Sequence, residues 1–197
     1  MYLRLDSKGE RLCYSKPALS ESKKKNRRMI TVRHEEIGDV VAVRELNEQA
    51  FGGATEADLV EALHTSKAVT LSLVAVDETK IVGHIVFSPA EIVSEGSEFL
   101  AVALGPMAVL PARQRQGVGS RLVHRGLELL RDAGHGVVVV VGHPEYYPRF
   151  GFALASKHGI RCPFEVPDEA FMVLELQAGA LQGREGTVRY HPAFEPA

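Results

Sequence analysis

Leu104-Gly-Pro-Met-Ala-Val-Leu-Pro-Ala-Arg-Gln-Arg-Gln-Gly-Val-Gly-Ser-Arg-Leu-Val123 is the stretch on which the fold turns. On its N-terminal side, Phe99 to Val109 reads as a strand, and Pro111 breaks it because proline cannot donate to a ladder. A polar loop then leads to Gly117, from which Val118, Leu122, Val123, Leu127 and Leu130 recur at helical spacing to about Ala133. The first turn of a helix carries backbone N–H groups without intrahelical partners, at the positive end of the dipole. Such a turn is a ready phosphate site. Gly117 and Gly119 have no side chains to keep an anion from the backbone, and Arg115 adds positive charge. The arrangement suits a diphosphate better than a lone carboxylate.

Working outward, Gly134 and Gly136 stop the helix, and Val137 to Val141 reads as a buried strand. Strand, helix and strand from Phe99 to Val141 should form a right-handed parallel crossover. Upstream, Ile30 to Arg33 is a short strand. Ile37 to Phe51 is expected as a helix with Ile37, Val40, Val41, Val43, Leu46 and Ala50 on its apolar face. Gly52-Gly53 stops it, and Thr55, with Asp58 three residues on, is expected to N-cap a second helix running to about His64. Thr70 to Asp77 and Lys80 to Pro89 are strands joined by a turn at Glu78-Thr79, so three consecutive strands should make an antiparallel meander. Downstream, turn-rich Pro144 to Gly151 leads to Phe152 to Ala155, and Phe171 to Leu176 supplies a last strand. The expectation is one α/β domain over residues 29–197: a mixed central sheet with helices on both faces. Residues 1–28, with the cluster Lys23-Lys24-Lys25-Asn26-Arg27-Arg28, lack apolar periodicity and are expected to be a disordered basic extension.

Composition removes several function classes. The chain has 197 residues, 45% hydrophobic and 24% charged, with a formal net charge of -2. A general nucleic-acid binder shows a basic excess over its whole domain. No run approaches the roughly 18 apolar residues that a membrane helix needs, and Met1 to Ser22 has no continuous apolar core of a signal peptide. Cytoplasmic residence is expected. Cys13 and Cys162 are too few for a disulfide framework or a cysteine-based metal site. The histidines show no metal-ligand spacing, so no metal is expected. A dinucleotide fold is disfavoured: the third glycine of its fingerprint would fall at Leu122, and Gly142-His143 stands where an acid should close the next strand.

Gln114-Arg115-Gln116-Gly117-Val118-Gly119 resembles the Gln/Arg-x-x-Gly-x-Gly/Ala signature of the GNAT N-acetyltransferase superfamily, in that family's context between the fourth strand and the long helix. Tyr146-Tyr147-Pro148-Arg149-Phe150-Gly151-Phe152 resembles its Tyr-x-x-x-Gly-Phe segment, and Gly186 to Phe194 is similar to one branch of acetyltransferases. The likeness spans about Ile30 to Phe194. It implies the GNAT fold, in which a bulged fourth strand splays from the parallel fifth; Gly105-Pro106 suits such a bulge. It also implies acetyl-coenzyme A as acyl donor. Backbone amides of Arg115, Gln116, Gly117, Val118, Gly119 and Ser120 would hold the pyrophosphate, with Gln114 also in the coenzyme site. Backbone groups of Met107, Ala108 and Val109 would pair with the pantetheine arm. Tyr147 would protonate the departing thiolate, and the acceptor would be the amine of a small molecule or peptide. The family's Asn-x-x-Ala pattern after the fifth strand is replaced by Gly142-His143-Pro144.

Some readings stay open. His143 either lines the cleft or caps the turn. Glu56, His84 and Glu91 are candidate bases for the amine, and ordered water often serves in this superfamily. The stretches Ala50 to Thr55 and Arg161 to Glu169, with Phe51 and Phe164, are expected to choose the acceptor. A homodimer is allowed. A catalytically silent acyl-CoA-binding module is the rival reading, and DNA binding through Lys23 to Arg28 the third.

Overall fold

The computed structural model describes Arg4–Leu5, Arg11–Leu12 and residues 30–194. The basic cluster and the expected disorder of residues 1–28 fall outside the described residues, apart from a two-residue antiparallel ladder between Arg4–Leu5 and Arg11–Leu12. Within residues 30–194 the order is β1 (Thr31–His34), α1 (Val40–Phe51), α2 (Thr55–Thr65), β2 (Leu71–Asp77), β3 (Lys80–Ser94) and β4 (Ser97–Val109). Then come α3 (Val118–Asp132), β5 (Val137–Val141), β6 (Ala153–Leu154), β7 (Ile160–Arg161), β8 (Phe171–Glu175) and β9 (Gly186–Tyr190). The nine strands form one mixed sheet in the order β1-β2-β3-β4-β5-β8-β6, with β9 paired to β3 and β7. The meander β2-β3-β4 is antiparallel, and β4 runs parallel to β5. The expected α/β architecture is present.

Alternation along the strands assigns the two faces. Val102, Leu104, Val138 and Val140 pack with Leu122, Val123 and Leu127 of α3. Ala103, Val137 and Val139 face the other way, and on that side of the sheet Val74 and Val86 pack with Val43, Val60 and Leu63 of α1 and α2. Residues Val137 to Val140 are at most 1% exposed. Burial on both faces is why β5 reads as an unbroken valine run, each side chain contributing roughly 1.5 kcal/mol or more.

Helix α1 departs from expectation in its phase. Ile37, Val40 and Val41 are exposed, and its buried residues are Val43, Leu46 and Asn47. A polar anchor sets this rotation. Asp39 accepts hydrogen bonds from the Arg33 guanidinium and the Glu36 N–H (2.8 Å), which holds the 3-10 turn Ile37–Asp39 with its carboxylate inward and Ile37 outward. The cap of α2 also differs. Ala54 is the N-cap and Thr55 the first helical residue, and no side-chain capping bond forms there.

Strand β3 passes the expected end at Pro89 and runs to Ser94. Phe87 O accepts Thr70 N–H at 2.8 Å, so by alternation the N–H that Pro89 lacks would face the same edge. Pairing with β2 stops at Phe87 on that edge, and pairing with β9 starts at Ala90. The proline falls between two ladders. Phe171–Glu175 is not the last strand, because β9 follows it, and Phe152 to Ala155 shortens to the two residues of β6.

Candidate active site

The site begins where two parallel strands part. Strands β4 and β5 pair from Val102↔Val138 to Leu104↔Val140 and no further, while β4 continues along β3 to Gly83↔Val109. One extra residue enters β4 between its pairings with Phe87 and Ile85, at Gly105 (φ 137) and the cis Gly105-Pro106 peptide. A bulge bends its strand and breaks the ladder locally. The splayed pair is therefore present, and the bulge sits at Gly105-Pro106 as expected.

The exposed edge of β4 has a definite polarity. Leu110 N–H donates to Val82 O at 3.0 Å, so Leu110 points its peptide groups at β3. By antiparallel alternation Ala108 does the same, whereas Met107 and Val109 turn theirs toward the gap. Gln114 Nε2 donates to Val109 O at 3.2 Å and engages one of those groups. A strand-like ligand entering the gap would meet the peptide groups of Met107 and the N–H of Val109.

Helix α3 starts at the same gap. Its N-cap is Gly117 in the left-handed region (φ 83), and Arg115 is also left-handed (φ 58). Such turns gather successive N–H groups on one side, making an anion-binding concavity. A side chain at 119 would also crowd this corner: a Cβ there would lie 2.7 Å from the Tyr146 hydroxyl, which would have to shift. The open helix start and the Tyr146 hydroxyl therefore share one corner. Arg149 joins them, its guanidinium 4.4 Å from the centre of the Tyr146 ring and its Nε donating to Tyr146 O at 3.1 Å. Arg113, in contrast, is ion-paired with buried Asp77.

A cleft of about 1370 Å³ runs along these features. Met107, Ala108 and Val109 line it on the β4 side. Gln114, Arg115, Gly117, Val118, Gly119 and Ser120 line it at the helix start. Gln116 does not line it; its side chain turns back to donate to Ala112 O at 2.9 Å. Sequence alone assigned Tyr146 a packing role and did not single out Arg149, although both lie inside the quoted aromatic segment and both line the cleft. The proximity of Tyr146 to Gly119 is a contact across the fold.

Tyr147 also lines the cleft and is 6% exposed. Its ring packs against Phe152 (centroids 5.6 Å apart) and over Gly142, where a Cβ would collide with it. Burial, with a smaller contribution from Tyr146, pushes its hydroxyl above the usual tyrosine range. His143 does both things considered for it. It lines the cleft, and its carbonyl accepts Tyr146 N–H at 3.0 Å to start the turn.

The three candidate bases separate. Glu56 lines the cleft. Glu91 pairs with Arg189 across the β3–β9 ladder and does not line it. His84 is fully buried beneath α1. Its Nδ1 lies 3.3 Å from Asn47 Nδ2 and its Nε2 lies 3.0 Å from Ser72 Oγ. Glu35 Oε2 completes that cluster, accepting from Ser72 and lying 3.1 Å from His64 Nε2. Burial raises the Glu35 pKa, but hydrogen bonds from His84 and Ser72 and the charges of His84 and His64 outweigh it, and the net shift is downward. His84 belongs to this cluster and not to the cleft. Among the described residues no cluster of three or more His, Cys, Asp or Glu side chains forms a metal site, and no helix is long and apolar enough to cross a membrane.

Known proteins share this geometry. The family model described as an acetyltransferase (GNAT) domain matches residues 31–155. The protein YhbS of Escherichia coli strain K12, named as an uncharacterized N-acetyltransferase, is 37% identical over 157 residues, which cover 79% of this chain and 93% of the relative. Its crystal structure in complex with CoA superposes with a TM-score of 0.80 at 34% identity, covering 92% of this chain and 96% of that one. A GNAT family acetyltransferase from Brucella melitensis, in complex with acetyl-CoA, gives a TM-score of 0.71 at 36% identity, covering 85% of this chain and 99% of that one. The splayed strands, the open helix start and these relatives together show that the chain belongs to the GNAT acetyltransferase family and is an acyltransferase.

Proposed function

We propose that the chain binds acetyl-coenzyme A across the β4–β5 gap and passes the acetyl group to a primary amine by direct attack in a ternary complex. One observation carries this reading. The uncapped start of α3, with Arg115 beside it and Arg149 lining the same cleft, opens onto the same gap as the outward peptide groups of Met107 and Val109. An acyl carrier with a diphosphate at one end and an amide-bearing arm matches both features. The complexes of the Escherichia coli and Brucella relatives with CoA and acetyl-CoA support it.

In this reading the N–H groups from Arg115 to Ser120 hold the pyrophosphate, with Arg149 as a further counter-charge. The arm lies along β4, and the Val109 N–H polarises the thioester carbonyl as negative charge develops on its oxygen. The acceptor first gives up its ammonium proton to water. The free amine nitrogen then attacks the carbonyl carbon, the carbon–sulfur bond breaks, and the nitrogen loses a second proton to water. The leaving thiolate takes a proton from Tyr147. A tyrosine hydroxyl is protonated through the neutral range, the form a donor needs, and burial, by raising its pKa, makes that proton harder to release. Holding both reactants in one cleft supplies much of the rate.

Calorimetric titration with coenzyme A tests the binding half. Micromolar binding is expected, weakened about tenfold by Gly119→Ala, the worth of about one charge-assisted hydrogen bond. No binding at millimolar concentration, or binding indifferent to Gly119→Ala, would overturn it. Binding without thiol release to any amine would leave a silent carrier-binding module.

A further inference from the structure

The far end of the cleft has a chemistry of its own, on the face of the sheet opposite α3. Tyr190 packs against the cluster of Ala90, Ala103 and Val139, and Phe194 against that of Val43, Val60 and Leu63. The Phe164 and Tyr190 rings are 5.1 Å apart and tilted by 38°, and those of Tyr190 and Phe194 are 5.2 Å apart and tilted by 49°. Three rings from a loop, a strand and the 3-10 turn Pro192–Phe194 thus form one continuous wall of the cleft. Phe51, at the end of α1, lines the same cleft, with Phe51 and Phe164 still 44% and 36% exposed. Aromatic rings left open in a concave site await a partner.

The charge at this end is as restricted as the shape. Among the described residues two carboxylates line the cleft, Glu56 of α2 and Glu145 beside Tyr146. Of the described lining residues contributed by α1, α2, the 160s loop and the C-terminal segment, Glu56 is the one charged group. Glu165, on the same loop, does not line the cleft. Burial pushes the Tyr190 hydroxyl far above its ordinary range, so that ring presents no charge.

We infer that the acceptor is a monoamine carried on a flat apolar body, an arylalkylamine in chemical class, with its rings against Phe164, Tyr190 and Phe194 and its ammonium drawn in by Glu56. This rests on the acetyl transfer proposed above and narrows it. Glu56, the one carboxylate these elements contribute, balances a single ammonium. A polyamine or an aminoglycoside would bring several cations to a wall of rings that can solvate few of them. Negatively charged acceptors would meet Glu56 with no cation from these elements to offset it. The aromatic faces also favour an approaching ammonium through their quadrupoles.

The experiment uses the full chain with saturating acetyl-coenzyme A, following thiol release with 2-phenylethylamine, n-butylamine, spermidine and kanamycin. Expected is a kcat/KM for 2-phenylethylamine about tenfold or more above each of the others, the worth of one well-packed ring. Phe164→Ala and Glu56→Gln should each cut that value about tenfold, mainly through KM, with coenzyme A affinity unchanged in a parallel titration. Preference for spermidine or kanamycin, equal use of butylamine, or no turnover of 2-phenylethylamine while coenzyme A binds would overturn the acceptor class alone. Variants with unaltered KM would do the same. Failure to bind coenzyme A would remove the acetyl-transfer reading first, and the acceptor class with it.

Discussion

Tyr147 shows how one residue's environment decides its use. The ring is held by Phe152 on one side and the bare backbone of Gly142 on another, so the hydroxyl is positioned by packing. Removing that oxygen should change chemistry and little else. Tyr147→Phe is expected to lower turnover about a hundredfold, the usual lower bound for losing a general acid, with the coenzyme A dissociation constant unchanged by calorimetry. Equal losses in turnover and affinity would mean that the residue only packs. Because burial raises its pKa above the ordinary value of 10.0, turnover of the parent enzyme should show no descending limb from this group below about pH 10. The tyrosine was legible in the sequence through its neighbours in the Tyr-x-x-x-Gly-Phe pattern. Tyr146 stood in the same segment, but its approach to Gly119 was not legible, because it joins residues 27 positions apart through the fold.

Helix α3 is the element that ties site to core. Its apolar stripe of Val118, Leu122, Val123, Leu127 and Leu130 is buried as the spacing predicts, because a stripe at period 3.6 has one way to meet a sheet. Gly126 lies within that stripe, and a Cβ there would come 2.5 Å from the Phe87 ring. Helix propensity alone favours alanine over glycine by about 1 kcal/mol. Overpacking against a fully buried phenylalanine of the central strand reverses the sign. Gly126→Ala is expected to destabilise by about 1–3 kcal/mol, seen as a lower midpoint in urea denaturation; a rise would show that α3 can slide away from β3. Helix α1 illustrates the opposite case. Its apolar residues at 37, 40 and 41 point to solvent because the Asp39 carboxylate, held by Arg33 and the Glu36 N–H, sets the helix phase.

At the scale of the molecule, the Glu35 carboxylate is a clasp. It gathers β2 through Ser72, β3 through His84, and α2 through His64, while Asn47 of α1 closes the cluster from above. Its pKa is lowered in the fold from the ordinary carboxylate range. Its stabilising contribution is therefore full above that ordinary range and is lost as pH falls through the lowered folded value. Glu35→Gln should cost about 2 kcal/mol at pH 7, the worth of hydrogen bonds to a buried charge. The gap from the parent should close as pH drops below about 4.5. Thermal melts of both proteins from pH 7 to 3 would check this; a gap that persisted undiminished to pH 3 would remove Glu35 from the account. His84 was legible in the sequence only as a histidine on a strand, and nothing local told which face it would take.

The sequence by itself determined the order of elements from β1 to β5, the parallel crossover around α3 and the glycine-opened helix start. Each of these is written in residues a few positions apart, where periodicity, proline and glycine act directly on the backbone. Only the tertiary structure decided that Gly105-Pro106 aims the peptide groups of Met107 and Val109 into a gap, that His84 is sealed beneath α1, and that Phe164, Tyr190 and Phe194 meet as one wall. Those outcomes depend on which strands become neighbours and which face each residue takes. Such choices minimise the free energy of the whole chain, and no short stretch of sequence carries them.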